Sequence, residues 1–200
     1  TEAERGTVGE LIDRYLSEVT TLKKSARREK QRLQSLRKRF GAFSPAALRN
    51  THIAEYRDRL LKLASRLAFL FLAVAATGIA VDLFKILVGR SRPRHLFQDG
   101  LMTMSPGTLS SSWWSFPSGH STTVGTVAMV LILLFPRFAW AWIAVALAVA
   151  LGRVGATAHF ISDTVAGLWL GAIGALLVSW ALARQADAIE RRWGLPRCVG

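Results

Sequence analysis

Ser121–Leu151 reads STTVGTVAMVLILLFPRFAWAWIAVALAVAL, 31 residues with a single charge, Arg137, beside Pro136. A bilayer core about 30 Å thick is crossed by about 20 apolar residues in a helix. At about 1.5 Å per residue, one helix of this length would overshoot it. Proline lacks the N–H that a helix interior needs. The stretch therefore predicts two helices, 119–135 and 138–152, joined by a tight turn at Pro136.

Two further spans flank this pair. Leu67–Val88 contains FLFLAVAATGIAV and meets Asp82 and Lys85 only near its far end. Phe160–Ala183 carries Gly167, Gly171 and Gly174, whose plainest role is to let helices pack closely. The expected fold is all-α: a polytopic membrane helical bundle of about four transmembrane helices with a basic N-terminal helical segment. Three regions follow: 1–65, a basic helical segment; 66–184, the membrane domain; and 185–200, a basic cytoplasmic tail.

Charge agrees with that division. The 200 residues carry a net +13 and are 51% hydrophobic. Residues 1–66 hold 16 Lys/Arg and 8 Asp/Glu, whereas the twice-longer remainder holds 10 and 5. A uniform soluble globule is excluded. So is a disulfide scaffold, because Cys198 is the only cysteine. Residues 1–66 contain no apolar h-region, so no cleavable signal peptide is expected. Basic flanks stay in the cytoplasm. Residues 1–66 and the tail arginines (Arg184, Arg191, Arg192 and Arg197) then place both termini there, together with the Arg137 turn. The 89–118 loop and the 153–159 link would face the periplasm or exterior of an inner membrane. Arg90, Arg92 and Arg94 break the charge rule in that outer loop and need another reason to be there.

Three clusters fall at the outward helix ends: Lys85 to Arg94, Pro117-Ser118-Gly119-His120, and Arg153 to Asp163. Lys85, Arg92 and Arg153 are cations at one membrane depth. A transferring phosphoryl group needs such a clamp, and the planar fork of arginine pairs with two oxygens at once. Pro117–His120 opens a helix, where exposed N–H groups favour an anion. Ser118 adds a hydroxyl donor and Gly119 allows close backbone approach.

His159 and Asp163 are four apart and are expected on one helical face, with the carboxylate accepting from one ring nitrogen. The other nitrogen is then free to attack phosphorus. A phosphohistidine intermediate removes the need for a metal, and no cofactor is expected. His120 is placed to protonate the leaving oxygen and later to take a proton from water. Taken singly, each residue has a plainer reading: an interfacial histidine, a snorkelling arginine, or an intrahelical Asp82–Lys85 pair. Their joint occurrence at one level favours the site.

K-x6-R-P, P-S-G-H and R-x5-H-x3-D, in that order, resemble the signature of the type 2 phosphatidic acid phosphatase superfamily. That superfamily also covers vanadium haloperoxidases and bacterial class A acid phosphatases. The resemblance spans about residues 66–183. It implies phosphate binding by Lys85, Arg92, Ser118, Gly119 and Arg153. It also implies His120 as general acid, His159 as nucleophile and Asp163 as its partner. Gly152 stands where the family usually has serine, implying one hydroxyl donor fewer and reduced activity. Membrane members usually have six spans. By that comparison residues 66–183 supply spans three to six, and a homo-oligomer is one way to cover the remaining surface.

Residues 7–62 read as soluble amphipathic helices. Val8–Val19 has Leu11, Ile12, Tyr15, Leu16 and Val19 on one face; Ala26–Phe40 follows, then a break at 41–45 and a helix from about His52. The pattern resembles the N-terminal helical DNA-binding region of phage-type tyrosine recombinases, with no catalytic domain behind it. It implies weak, salt-sensitive DNA affinity through Lys23, Lys24, Arg27, Arg28, Lys30 and Arg32. A solvated face or an anionic-lipid contact is the plainer reading.

The leading expectation is an integral membrane phosphatase, independent of metal, acting on a phosphomonoester or pyrophosphate of a lipid. Trp113, Trp114 and Phe116 would anchor the loop at the interface or flank that lipid. The competing readings are a non-enzymatic, membrane-tethered DNA-binding fusion with a decayed phosphatase half, and haloperoxidase chemistry. The membrane setting argues against the latter.

Overall fold

A computed structural model describes residues 6–100 and 103–193, apart from the side chains of 98–99 and 188–193. Of the expected basic tail, the side chains of Arg191 and Arg192, and all of Arg197 and Cys198, lie outside the described residues. Secondary structure in the described residues is helical: α1 (Val8–Glu18), α2 (Ala26–Phe40), α3 (Asn50–Val88), α4 (Pro93–Asp99), α5 (Gly119–Leu134), α6 (Ala139–Gly155) and α7 (Ile161–Trp193), with short 3-10 turns between some of them. The chain forms two compact units, Thr1–Leu61 and Lys62–Gly200.

In the first unit, a capping box starts α1. Glu10 N–H donates to Thr7 Oγ1 at 3.2 Å, and Thr7 N–H donates to Glu10 Oε2 at 3.0 Å. Of the apolar face expected on α1, Ile12 is buried and Leu16 half-buried, while Leu11 is exposed. The backbone of α1 lies against the turn after α2, where Gly9 N–H donates to Gly41 O at 3.1 Å. Phe40 closes this small core edge-on against Tyr56, with ring centroids 5.4 Å apart.

In the second unit, α3, the Pro136–Gly155 segment and α7 are each long and apolar enough to cross a membrane; α5 is a shorter apolar helix. The turn expected at Pro136 is a 3-10 turn over Pro136–Phe138. The sequence suggests a soluble helix from about His52 and a first span from Leu67 as separate segments. One helix instead runs unbroken from Asn50, because no proline interrupts 50–88 and the change from charged to apolar side chains leaves the backbone ladder untouched.

Helices α5 and α7 meet through glycine. A Cβ on Gly125 would come 2.8 Å from Leu168 O, one on Gly167 2.6 Å from Ser118 O, and one on Gly171 would collide with Thr122 O. The α7 glycines thus do the packing expected of them. Where backbones come this close, hydroxyls replace large apolar groups. Thr126 Oγ1 lies 3.0 Å from Thr77 Oγ1 and 2.9 Å from Thr122 O, which joins α3 to α5. An apolar cluster of Ala73, Val130 and Ala175 sits below. Only 17%, 11% and 17% of the apolar windows of the three long segments are buried inside the protein. Leu72, Phe71, Trp140, Leu151, Trp169 and Leu177 are exposed around them. Such a surface is stable against acyl chains and unstable against water. The second unit is a membrane helical bundle.

Candidate active site

The chain after α3 turns back on itself. Gly89 takes a φ of 56°, and a Cβ there would strike Ser105 O. Ser105 N–H donates to Gly89 O at 2.7 Å, and Ser91 N–H donates to Thr103 O at 3.1 Å. This pairing holds Arg90 and Arg92 beside the end of the bundle at which α3 stops. Ser115 N–H donates to Arg90 O at 3.1 Å and brings the 110–118 segment alongside. Trp114 Nε1–H donates to Thr108 O at 3.0 Å, so this indole ties the loop to itself.

Ser118 caps α5. Its Oγ accepts from Ser121 N–H at 3.4 Å and lies 3.1 Å from Ser121 Oγ, while its own N–H donates to Asp163 O at 3.0 Å. Ser118 is fully buried; Gly119 is half-buried and His120 exposed. Lys85 Nζ would lie 3.1 Å from a Cβ on Gly119, so the ammonium stands against the opening turn of α5. It also pairs with Asp82 Oδ1 at 2.9 Å, the intrahelical pair their spacing suggested. Lys85, Asp82, His120 and Gly119 line an open cleft of about 550 Å³ between α3 and α5, together with apolar residues such as Val81, Val124 and Val127.

Arg153 comes from the last turn of α6. Arg92, Arg153 and Lys85 act electrostatically on His120, and Arg92 and Arg153 act on His159. The three expected cations and the two histidines therefore share one neighbourhood. The Nε atoms of Arg92 and Arg153 are buried and meet no hydrogen-bond acceptor among the described residues. Burial first, then the nearby Arg94 and Arg153, pull the Arg92 guanidinium below its ordinary pKa. A bound anion would satisfy the orphaned donors and relieve that repulsion together.

His159 corrects one expectation. Helix α7 begins at Ile161, so His159 lies in the link before it and shares no helical face with Asp163. Its Nδ1 is 2.8 Å from Ser115 O and 3.9 Å from Asp163 Oδ2. A carbonyl only accepts, so Nδ1 carries the proton and Nε2 of the neutral ring keeps its lone pair. The free nitrogen arises as expected, through a backbone carbonyl in place of the carboxylate. Burial is the main cause that lowers the His159 pKa; Arg92 and Arg153 add to it, while the Ser115 bond and Asp163 oppose it.

Asp163 is fully buried and differently engaged. Oδ1 pairs with Arg90 Nη1 at 2.7 Å; Oδ2 accepts from Ser115 Oγ–H at 2.6 Å and from Phe160 N–H at 2.9 Å. Arg90 also donates to Ser162 Oγ at 2.9 Å and stacks 4.2 Å over the Phe160 ring. These contacts give Arg90 a reason to stand in the 89–118 loop. Its charge conflict was visible in the sequence, but nothing marked Ser115, which sits in a serine- and tryptophan-rich run.

A Cβ on Gly152 would meet nothing within 4 Å, so packing does not require glycine at this position. Among the described residues no three of His, Cys, Asp and Glu gather as metal ligands.

Comparison with known proteins identifies the family. Residues 66–187 match the PAP2 superfamily. The lipid A 1-phosphatase of Rhizobium johnstonii is 43% identical over 117 residues, 58% of this chain and 48% of that protein. The lipid A 1-phosphatase of Rhizobium etli is 41% identical over the same length, 50% of that protein. The bacitracin transport permease protein BcrC of Bacillus licheniformis is 33% identical over 66 residues, a third of each chain. The chain thus spans about half the length of the first two relatives. No solved structure matches significantly. With its family signature covering most of the second unit, the chain belongs to the PAP2 superfamily.

Proposed function

We propose that the protein is an integral membrane phosphatase that removes the phosphate from a lipid phosphomonoester, without a metal ion. The carrying observation is the Nδ1–Ser115 carbonyl contact of 2.8 Å, which leaves the Nε2 lone pair of His159 free in the neighbourhood of Arg92 and Arg153, whose buried Nε donors lack acceptors. Nε2 attacks phosphorus and the P–O bond to the lipid breaks, with His120 giving its proton to the leaving oxygen. Water, deprotonated by His120, then attacks the phosphohistidine; the P–N bond breaks, inorganic phosphate leaves and Nε2 is restored. Lys85, Arg92, Arg153 and the Ser118–Gly119 turn neutralise the equatorial oxygens throughout.

Two relatives are lipid A 1-phosphatases, which supports the 1-phosphate of a glycolipid as substrate ahead of phosphatidic acid or undecaprenyl pyrophosphate. The basic flank of the first span supports cytoplasmic termini and a site at the periplasmic face. Purified protein in detergent should release phosphate from lipid A, and His159→Ala should abolish release. Turnover undiminished by that change would remove the nucleophile, and loss of turnover on chelation would remove the metal-free route.

A second activity is supported by α2 and the turn before it, which expose Lys24, Arg27, Arg28, Lys30 and Arg32. Lys23 is partly withdrawn, pairing with Glu29 at 2.9 Å and donating to Tyr15 Oη at 2.6 Å. Weak, salt-sensitive DNA retention is the expected result; retention by anionic vesicles and not by DNA would reassign this face to lipid.

A further inference from the structure

We infer that Arg90 and Ser115 are positioning residues that fix the tautomer and aim of His159, an inference resting on the reading of His159 as nucleophile. Four contacts form one chain. Arg90 Nη1 holds Asp163 Oδ1 at 2.7 Å, Asp163 Oδ2 holds the Ser115 hydroxyl at 2.6 Å, and the Ser115 carbonyl holds Nδ1 of His159 at 2.8 Å. The fourth returns to its start, as Ser115 N–H donates to Arg90 O at 3.1 Å. Both ends of Ser115 are thus fixed by the two groups it links, and Asp163 and Ser115 are wholly buried.

The Nη1 donor of Arg90 is spent on Asp163 and Ser162 and its guanidinium plane is covered by Phe160, while its buried Nε, like those of Arg92 and Arg153, meets no acceptor among the described residues. The Ser115 hydroxyl is committed to the carboxylate. Arg90 has a second effect. The charged groups acting on His159 are Arg92, Arg153 and Asp163. By pairing with Asp163, Arg90 tempers the one anion that would draw a proton onto the nucleophile.

The test uses full-length protein in detergent micelles with ¹⁵N-labelled histidine, the His159 ring being identified by its loss in H159Q. Ring shifts should show Nδ1–H in the wild type and mixed tautomers in R90Q and S115A. On a lipid phosphomonoester, kcat should fall by up to about 10²-fold in both, the scale of a nucleophile misplaced by an ångström. The acid limb of the pH profile should move upward in R90Q, and affinity for orthovanadate should stay as in the wild type. R90K, which keeps the cation, should recover most of the loss. An unmoved tautomer and kcat in both variants would overturn the inference. So would vanadate affinity falling in step with kcat, which would make Arg90 an anion ligand, or R90K no better than R90Q, which would assign the loss to packing. Should R90Q not fold, S115A carries the same readouts. A wild type with the fixed tautomer but no turnover would sink the phosphatase reading and leave the clamp intact.

Discussion

The carbonyl oxygen of Ser115 stands 2.8 Å from Nδ1 of His159, while the nearest carboxylate oxygen, Asp163 Oδ2, is 3.9 Å away. The ring is therefore oriented by backbone, and the acid works at one remove. Where a carboxylate holds a catalytic histidine directly, Asp→Asn costs about 10⁴-fold in kcat. Asp163→Asn should cost less here, about 10²-fold, because the ring keeps its direct bond. It should still destabilise the fold, since the partly buried Arg90 loses its counter-charge; breaking a buried pair costs about 3–5 kcal/mol. Steady-state kinetics beside thermal unfolding in detergent separates the two effects.

Arg92 and Arg153 each bury an Nε that meets no protein acceptor. Lysine at either position keeps a cation and loses the fork. A charge-assisted hydrogen bond contributes about 1.5–3 kcal/mol, so Arg92→Lys and Arg153→Lys should each weaken orthovanadate inhibition by roughly 10- to 150-fold. Inhibition constants measured at fixed ionic strength test this. Undiminished vanadate binding in both variants would remove the arginines from the anion site.

The pH dependence follows from His159. Its folded pKa lies below the ordinary value of 6.5, chiefly through burial. The neutral, nucleophilic form therefore persists to lower pH than in a free histidine, and the acid limb of kcat/KM should fall below pH 6.5. Stability has the same sign. As pH falls through 6.5 the unfolded chain takes the proton first, so the contribution of this group is present above that pH and is lost toward the folded value. A kcat/KM profile on a lipid phosphomonoester, beside the same profile for Arg92→Gln, checks it. Removing that cation should move the limb upward.

The spaced motifs made much of this legible. Lys85, Arg92, Ser118, His120, Arg153 and His159 sit at helix ends, where apolar runs stop, and a run of hydrophobic residues locates its own ends. Tertiary partners were not legible. Arg90 and Asp163 are 73 residues apart, and no local pattern announces their pairing. The His159–Asp163 spacing suggested a helical turn, but α7 starts two residues after His159. A free backbone carbonyl at Ser115 leaves no mark in side-chain chemistry, so its bond to the imidazole emerged only from the fold. The continuity of the helix from about His52 with the span from Leu67 was also not legible, because side-chain polarity changes at residue 66 while helix propensity does not.

Glycine positions separate packing from freedom. A Cβ on Gly171 would collide with Thr122 O and come 2.7 Å from Thr126 N, whereas one on Gly78 meets nothing within 4 Å. Gly171→Ala should force α5 and α7 apart at the cost of overpacking, about 1–3 kcal/mol. Gly78→Ala should be neutral or stabilising by up to about 1 kcal/mol, the helix propensity difference. Paired thermal unfolding in one detergent reads both. Equal effects would contradict the close helix contact at Gly171.

Gly152 offers a gain of function. It precedes Arg153, and a side chain there has open space. Gly152→Ser would return the hydroxyl donor that the family usually supplies. A neutral hydrogen bond contributes about 0.5–1.5 kcal/mol net. Acting on a phosphate oxygen in the transition state, it should raise kcat/KM by roughly two- to tenfold. Gly152→Ala, which adds the Cβ without the hydroxyl, is the control and should leave kcat/KM near the wild-type value. A rise in both variants would trace the gain to helix stability at the end of α6; a rise in serine alone would place position 152 against the bound phosphate.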